Sequence, residues 1–143
     1  MPDPDPMAWE EQLIAEMRAN DGQVKHGPLA GHPLLIMTNT GAKSGKEHRA
    51  ILTWHEDAGD YVVAGTAGGS DVTPSWVHNV KANPDVTIEV RNQRSPATAT
   101  IVPDGPERDR LWDDHVKALP WFGDYPSKTD RRFPMVRLTA KKA

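Results

Sequence analysis

The chain predicts an α+β fold, mainly antiparallel β, in the form of a small barrel or strongly curled sheet with peripheral helices. Three observations predict it. Short apolar runs follow one another across turn-length gaps, helical patterns occur singly between groups of strands, and 143 residues suffice for one compact domain but not two. Hydrophobic residues make up 37% and charged residues 26%, enough for a buried core.

Residues 1–6 alternate proline with acid and read as a disordered leader. From Met7 to Asn20 the period becomes helical. Trp9, Leu13, Ile14 and Met17 share a stripe, the acids face elsewhere, and Asn20-Asp-Gly22 stops the helix. After the link Gly27-Pro-Leu-Ala-Gly-His-Pro33, the run 34–40 is short, apolar and bounded by turn signals, so it predicts a buried strand. Gly41–Gly45 makes a turn, Glu47–His55 returns as a second strand, Asp57–Asp60 turns again, and Tyr61–Gly65 is the third. A glycine-rich loop, Thr66–Asp71, leads to a helix with Thr73 as expected N-cap and Pro74 at its first position; it stops before Pro84. Val86–Val90 and Ala97–Val102 form a hairpin through Asn92–Ser95. Pro106 opens a last helix that Pro120 breaks, and Met135–Thr139 is the final strand.

Composition excludes several function classes. With no cysteine there is no disulfide, thiolate zinc site or cysteine nucleophile. The six histidines lack metal-ligand spacing, so no metal is expected. No GxSxG elbow is present. No apolar run reaches membrane-span length and no signal peptide opens the chain, which predicts a cytoplasmic protein without stable membrane insertion. The formal charge of -3 argues against nucleic-acid binding. That charge is unevenly distributed. Residues 1–20 hold five acids and one base, whereas Lys43, Lys46 and Arg49 gather beside His48.

Two stretches carry candidate chemistry. Gly41-Ala-Lys-Ser-Gly-Lys46 misses the nucleotide P-loop spacing, and a strand follows where that loop needs a helix. Its anion-binding physics survives, because glycines let backbone N–H groups line a concavity, Ser44 adds a donor, and Arg49 can grip a phosphate or carboxylate with two bonds. Ala64–Asp71, ahead of a helix N-terminus, permits close approach of a flat ligand. Together they suggest one extended anionic ligand, with an ordinary turn and a connector as the plain alternatives. Trp121-Phe-Gly-Asp-Tyr125 reads as a late loop that either lids a pocket or packs in the core.

Thr40–Gly45 with Arg49, Val62-Val-Ala-Gly-Thr-Ala-Gly-Gly69 and Pro74-Ser-Trp-Val-His-Asn-Val-Lys-Ala-Asn-Pro84 resemble the deazaflavin-dependent nitroreductase family of mycobacteria and other actinobacteria. The likeness runs from about Leu34 to Leu138 and includes Tyr125 and Thr129-Asp130. Its most specific part is the Trp76…Asn79…Asn83-Pro84 pattern. The resemblance implies a split β-barrel of the FMN-binding-like kind and coenzyme F420 as cofactor. It implies that Ala42, Lys43, Ser44, His48 and Arg49, with Ala50, Ile51, Leu52 and Thr53, hold the phosphate and polyglutamate tail. Ala64, Gly65, Thr66 and Ala67 would flank the deazaflavin, as would Ser75, Trp76, Val77, His78 and Asn79. Ala42 and His48 stand where many relatives have arginine. Phe122 and Tyr125 stand where nitroreductase members carry two tyrosines.

The expected activity is hydride transfer from reduced F420 to an electron-poor acceptor: an activated enone, a coumarin-type lactone or a quinone. Trp121 and Phe122 would wall the acceptor and Tyr125 would donate the proton. Two rivals remain at this level, a non-catalytic F420 carrier and an FMN- or haem-binding split barrel. A homodimer is a further expectation.

Overall fold

The computed structural model describes residues 6–25 and 30–141. The expected leader up to Asp5, His26, and Gly27–Leu29 of the link lie outside the described residues, as do the side chains of Trp9 and Glu10. Three helices, α1 Pro6–Ala19, α2 Ser75–Ala82 and α3 Pro106–Ala118, accompany seven strands. These are β1 Leu34–Thr40, β2 Glu47–Thr53, β3 His55–Asp57, β4 Asp60–Ala64, β5 Asp85–Val90, β6 Gln93–Ile101 and β7 Met135–Ala140. No helix among the described residues is long and apolar enough to cross a membrane.

All seven strands join one antiparallel sheet in the order β2-β1-β5-β6-β7-β4-β3. That order forces curvature. Laid flat, the two edge strands would stand about 29 Å apart at the usual inter-strand spacing, yet a single-residue link covers only about 7 Å. Only Trp54 separates β2 from β3. The sheet must therefore roll up until its edges meet, and the result is a split β-barrel.

Strand alternation sorts the core. Leu35 and Met37 of β1, Val63 of β4, and Val136 and Leu138 of β7 fill the barrel, joined from its mouth by Trp76, Val77 and Val80 of α2. Leu34 and Ile36 point outward under Leu13, Ile14 and Met17 of α1. Val62, Ala64 and Met135 point outward under Leu111 of α3. The C-terminal end of α1 is pinned by the β5–β6 hairpin. Arg18 grips Glu89 at 2.9 and 3.2 Å, and the Asn92 amide donates to the Arg18 carbonyl at 2.8 Å. Gly22 (φ +81) lies so close that an added Cβ would stand 2.7 Å from the Arg91 Cα, so no larger residue fits.

Four expectations need correction. The strand expected over Glu47–His55 is two strands, because Trp54 turns the chain from one sheet edge to the other. The β5–β6 turn is only Arg91-Asn92, both at positive φ (51° and 62°) as a type I′ turn requires, so β6 starts at Gln93. Pro74, not Thr73, is the N-cap of α2, and the Thr73 hydroxyl accepts from Arg131 instead. The late aromatic stretch is a 3₁₀ segment, Pro120–Ser127, rather than irregular loop.

Candidate functional site

Among the described residues β2 has a hydrogen-bonded neighbour only on its β1 side. A cavity of about 600 Å³ runs along its other edge. Across the gap stand Ala64 at the end of β4, Thr66 and Ala67 of the glycine loop, Ser75, Trp76 and Asn79 of α2, and Trp121, Phe122 and Tyr125 of the 3₁₀ segment. His48, Arg49, Ala50, Ile51, Leu52 and Thr53 supply the strand wall. A second space of about 500 Å³ is lined by Ala42, Lys43, Ser44 and His78. His48, Ser75 and Asn79 border both, so the two form one groove with an aromatic end and a basic end.

Gly65 and Val77 were expected to line it and do not. Val77 faces the barrel core. Gly65 acts by close packing, since a Cβ there would meet Val77 Cγ2 at 2.7 Å and Pro134 Cγ at 2.8 Å. Both hold α2, the loop and β7 together behind the lining.

Two buried amides clamp the basic turn. Asn79 donates to Asn39 Oδ1 at 2.8 Å and accepts the Ala42 N–H at 3.0 Å, while Asn39 donates to the His48 carbonyl at 3.2 Å. Asn39 is 1% exposed, so its amide depends on protein partners, and it donates also to the Met37 carbonyl at 3.4 Å. Four of the turn's backbone donors are committed, while the Lys43 and Ser44 N–H groups make no hydrogen bond among the described residues. Gly41 N–H goes to the Lys46 carbonyl, Gly45 N–H to Gly41, Lys46 N–H to Ser44 Oγ and Ala42 N–H to Asn79. An anion here can be held by the side chains of Lys43, Ser44 and His48 together with the Lys43 and Ser44 N–H groups. Arg49 is also committed, its Nη2 donating to Glu11 of α1 at 3.0 Å.

The glycine loop is shaped by a residue that sequence reasoning missed. Arg131 donates to the carbonyls of Gly65 (3.0 Å), Thr66 (2.9 Å) and Ser70 (3.0 Å) and to the Thr73 hydroxyl (3.3 Å). It holds Ala67 at φ 47°, a left-handed conformation that costs a non-glycine residue roughly 1–2 kcal/mol. Asn39 was missed as well. The only available signal was one amide side chain between two threonines at the end of an apolar run.

The aromatic end serves as both wall and core. Phe122 lies 5.4 Å from Trp121 and 5.2 Å from Tyr125, ring to ring, and rests on His115 at 4.5 Å. Behind it His115 Nδ1 meets His55 Nδ1 at 2.7 Å, with both Nε2 atoms buried and unpaired. Burial, reinforced by the neighbouring His55, lowers His115 to about 3. His55 is also lowered, mainly by burial, although Asp114 and Asp57 pull it back. The pair is neutral at pH 7. Among the described residues no group of three or more His, Asp or Glu could hold a metal ion.

Residues 9–140 match the family model described as F420H(2)-dependent quinone reductase. The chain is 35% identical over 126 residues to an F420H(2)-dependent quinone reductase of Mycobacterium tuberculosis, covering 87% of this chain and 85% of that protein. A solved F420-H2 dependent reductase, FDR-A, aligns with TM-score 0.67 and 38% identity over 74% of this chain and 93% of its own. Another structure, a domain-swapped dimer, aligns with TM-score 0.69 and 33% identity over 94% and 99%.

Proposed function

The chain belongs to the F420H(2)-dependent quinone reductase family, and from that premise we propose that it reduces an electron-poor acceptor, a quinone or an activated enone or coumarin-type lactone, inside the groove along β2. One observation carries this reading: an unpaired strand edge lies between an aromatic end and a basic end of the same groove. A flat heterocycle with donors and acceptors along one side can pair with a strand edge as another strand would. A long ligand with an anionic tail fits the direction of the charge.

When bound, F420 supplies the hydride. The chain's residues then have separate tasks. Lys43, Ser44 and His48 would hold the anionic part, and Ala64, Thr66 and Ala67 offer a low wall against which a planar ring can lie. Trp121 and Phe122 would orient the acceptor and exclude water, which supports near-attack geometry. Tyr125, with its ring 5.2 Å from Phe122, is the proposed proton donor to the reduced acceptor. A homodimer is part of the same proposal.

Tryptophan fluorescence tests the cofactor, because Trp76 and Trp121 line the cavity. Quenching by F420 without a comparable response to FMN is the expected result, and FMN binding alone would overturn it. Oxidation of reduced F420 should proceed with a naphthoquinone, and background rates across a broad acceptor panel would favour a carrier. Tyr125→Phe should lower turnover by about 10²-fold, the lower range for a positioned acid, with cofactor affinity unchanged. Unchanged turnover would remove Tyr125 from the mechanism.

A further inference from the structure

We propose that Glu11 of α1 sets the charge preference of the cavity by neutralising Arg49, so that uncharged acceptors are admitted and anionic ones disfavoured. The inference rests on the reading that this cavity takes the acceptor. Of the described residues lining the 600 Å³ cavity, Arg49 is the only Lys, Arg, Asp or Glu. Its Nη2 lies 3.0 Å from Glu11 Oε1, and Glu11 is not itself part of the lining.

An isolated exposed pair would count for little, since two long side chains must be held in one geometry. Here the helix is fixed independently of the pair. Ile14 and Met17 pack on Leu34 and Ile36, and Arg18 is tied to Glu89 and, through its carbonyl, to Asn92. The helix cannot swing aside without uncovering that apolar patch, so Glu11 is presented to Arg49 by the fold. The cavity is then nearly neutral overall. An anionic acceptor entering it would be desolvated beside an arginine that already has its carboxylate. The basic charge needed for a polyanionic ligand remains separate, at Lys43 in the second space.

The test uses the intact chain and two probes, the neutral quinone menadione and a naphthoquinone sulfonate, each titrated by tryptophan quenching. In Glu11→Gln the sulfonate should bind about two- to fivefold more tightly, the range of one screened surface pair, with menadione affinity unchanged. The double variant Glu11→Gln/Arg49→Gln should lose that gain. An unmoved sulfonate affinity in Glu11→Gln, or a gain that persists in the double variant, overturns the inference while leaving the proposed reductase standing. If the wild-type chain binds neither probe, the acceptor reading and the inference fall together.

Discussion

Arg131→Met is expected to weaken F420 binding by about tenfold or more and to destabilise the chain by about 2–4 kcal/mol, as charge-assisted hydrogen bonds are lost and the partly buried carbonyls of Gly65 and Thr66 are left unpaired. One guanidinium satisfies the carbonyls of Gly65, Thr66 and Ser70 and the Thr73 hydroxyl. No other hydrogen bond from a distant side chain holds this loop among the described residues. Without it, Ala67 is held at φ 47° only by the loop's own turn bonds, Gly69 N–H to Thr66 and Ser70 N–H to Ala67, and Thr66 and Ala67 are expected to leave the cavity wall. The guanidinium also sits over the Phe133 ring at 4.9 Å, so methionine loses that contact as well. Arg131→Lys should rescue only part of the effect, because a single ammonium cannot span four acceptors. Urea unfolding and F420 titration of both variants check this. Normal affinity in a destabilised Arg131→Met would show that loop geometry does not shape the site.

Acid should destabilise the protein well above the carboxylate range, and the buried histidine pair is the reason. His115 is lowered to about 3 from an ordinary 6.5. The folded chain therefore refuses a proton that the unfolded chain accepts. The sign follows directly, with this stability complete above about pH 6.5 and lost as pH falls toward 3, by up to about 1.4 kcal/mol per pH unit. Asp57 adds to the loss lower down. Arg110 and Arg137 hold its carboxyl well below the usual range, so its contribution is present above about pH 4 and disappears on further acidification. Urea midpoints at pH 7, 6, 5 and 4 measure the slope. His115→Leu should flatten it between pH 6.5 and 4, and an equal slope in the variant would place the titrating group elsewhere. Because Phe122 rests on His115, the same acid step should loosen the aromatic end of the groove.

Local patterns made much of this architecture readable. The run 34–40 is β1 to the residue, because apolar continuity and flanking turns specify a buried strand without reference to distant residues. The helix expected from Met7 to Asn20 is α1, one residue earlier at each end. What failed was non-local. Glu47–His55 holds no glycine or proline, and nothing within it signals that its two halves pair with opposite edges of the sheet. Arg131 lies in Thr129-Asp-Arg-Arg132, which reads as a solvated charged loop, and its acceptors lie about sixty residues away. Arg49 was expected to hold the cofactor's anionic part; it lines the cavity, and its carboxylate partner comes from α1.

Period, turn chemistry and motif sufficed to read the antiparallel class and the main elements before any contact was known. The folding of β2 and β3 to opposite sheet edges and the clamp of Asn39 and Asn79 on the basic turn came from contacts between distant residues. The same holds for the Arg131 brace on the glycine loop and for Glu11 standing 3.0 Å from Arg49. The physical reason is range. Strand and helix preferences are set within a few residues, whereas a hydrogen bond or ion pair needs two groups that only the completed fold brings within about 3 Å.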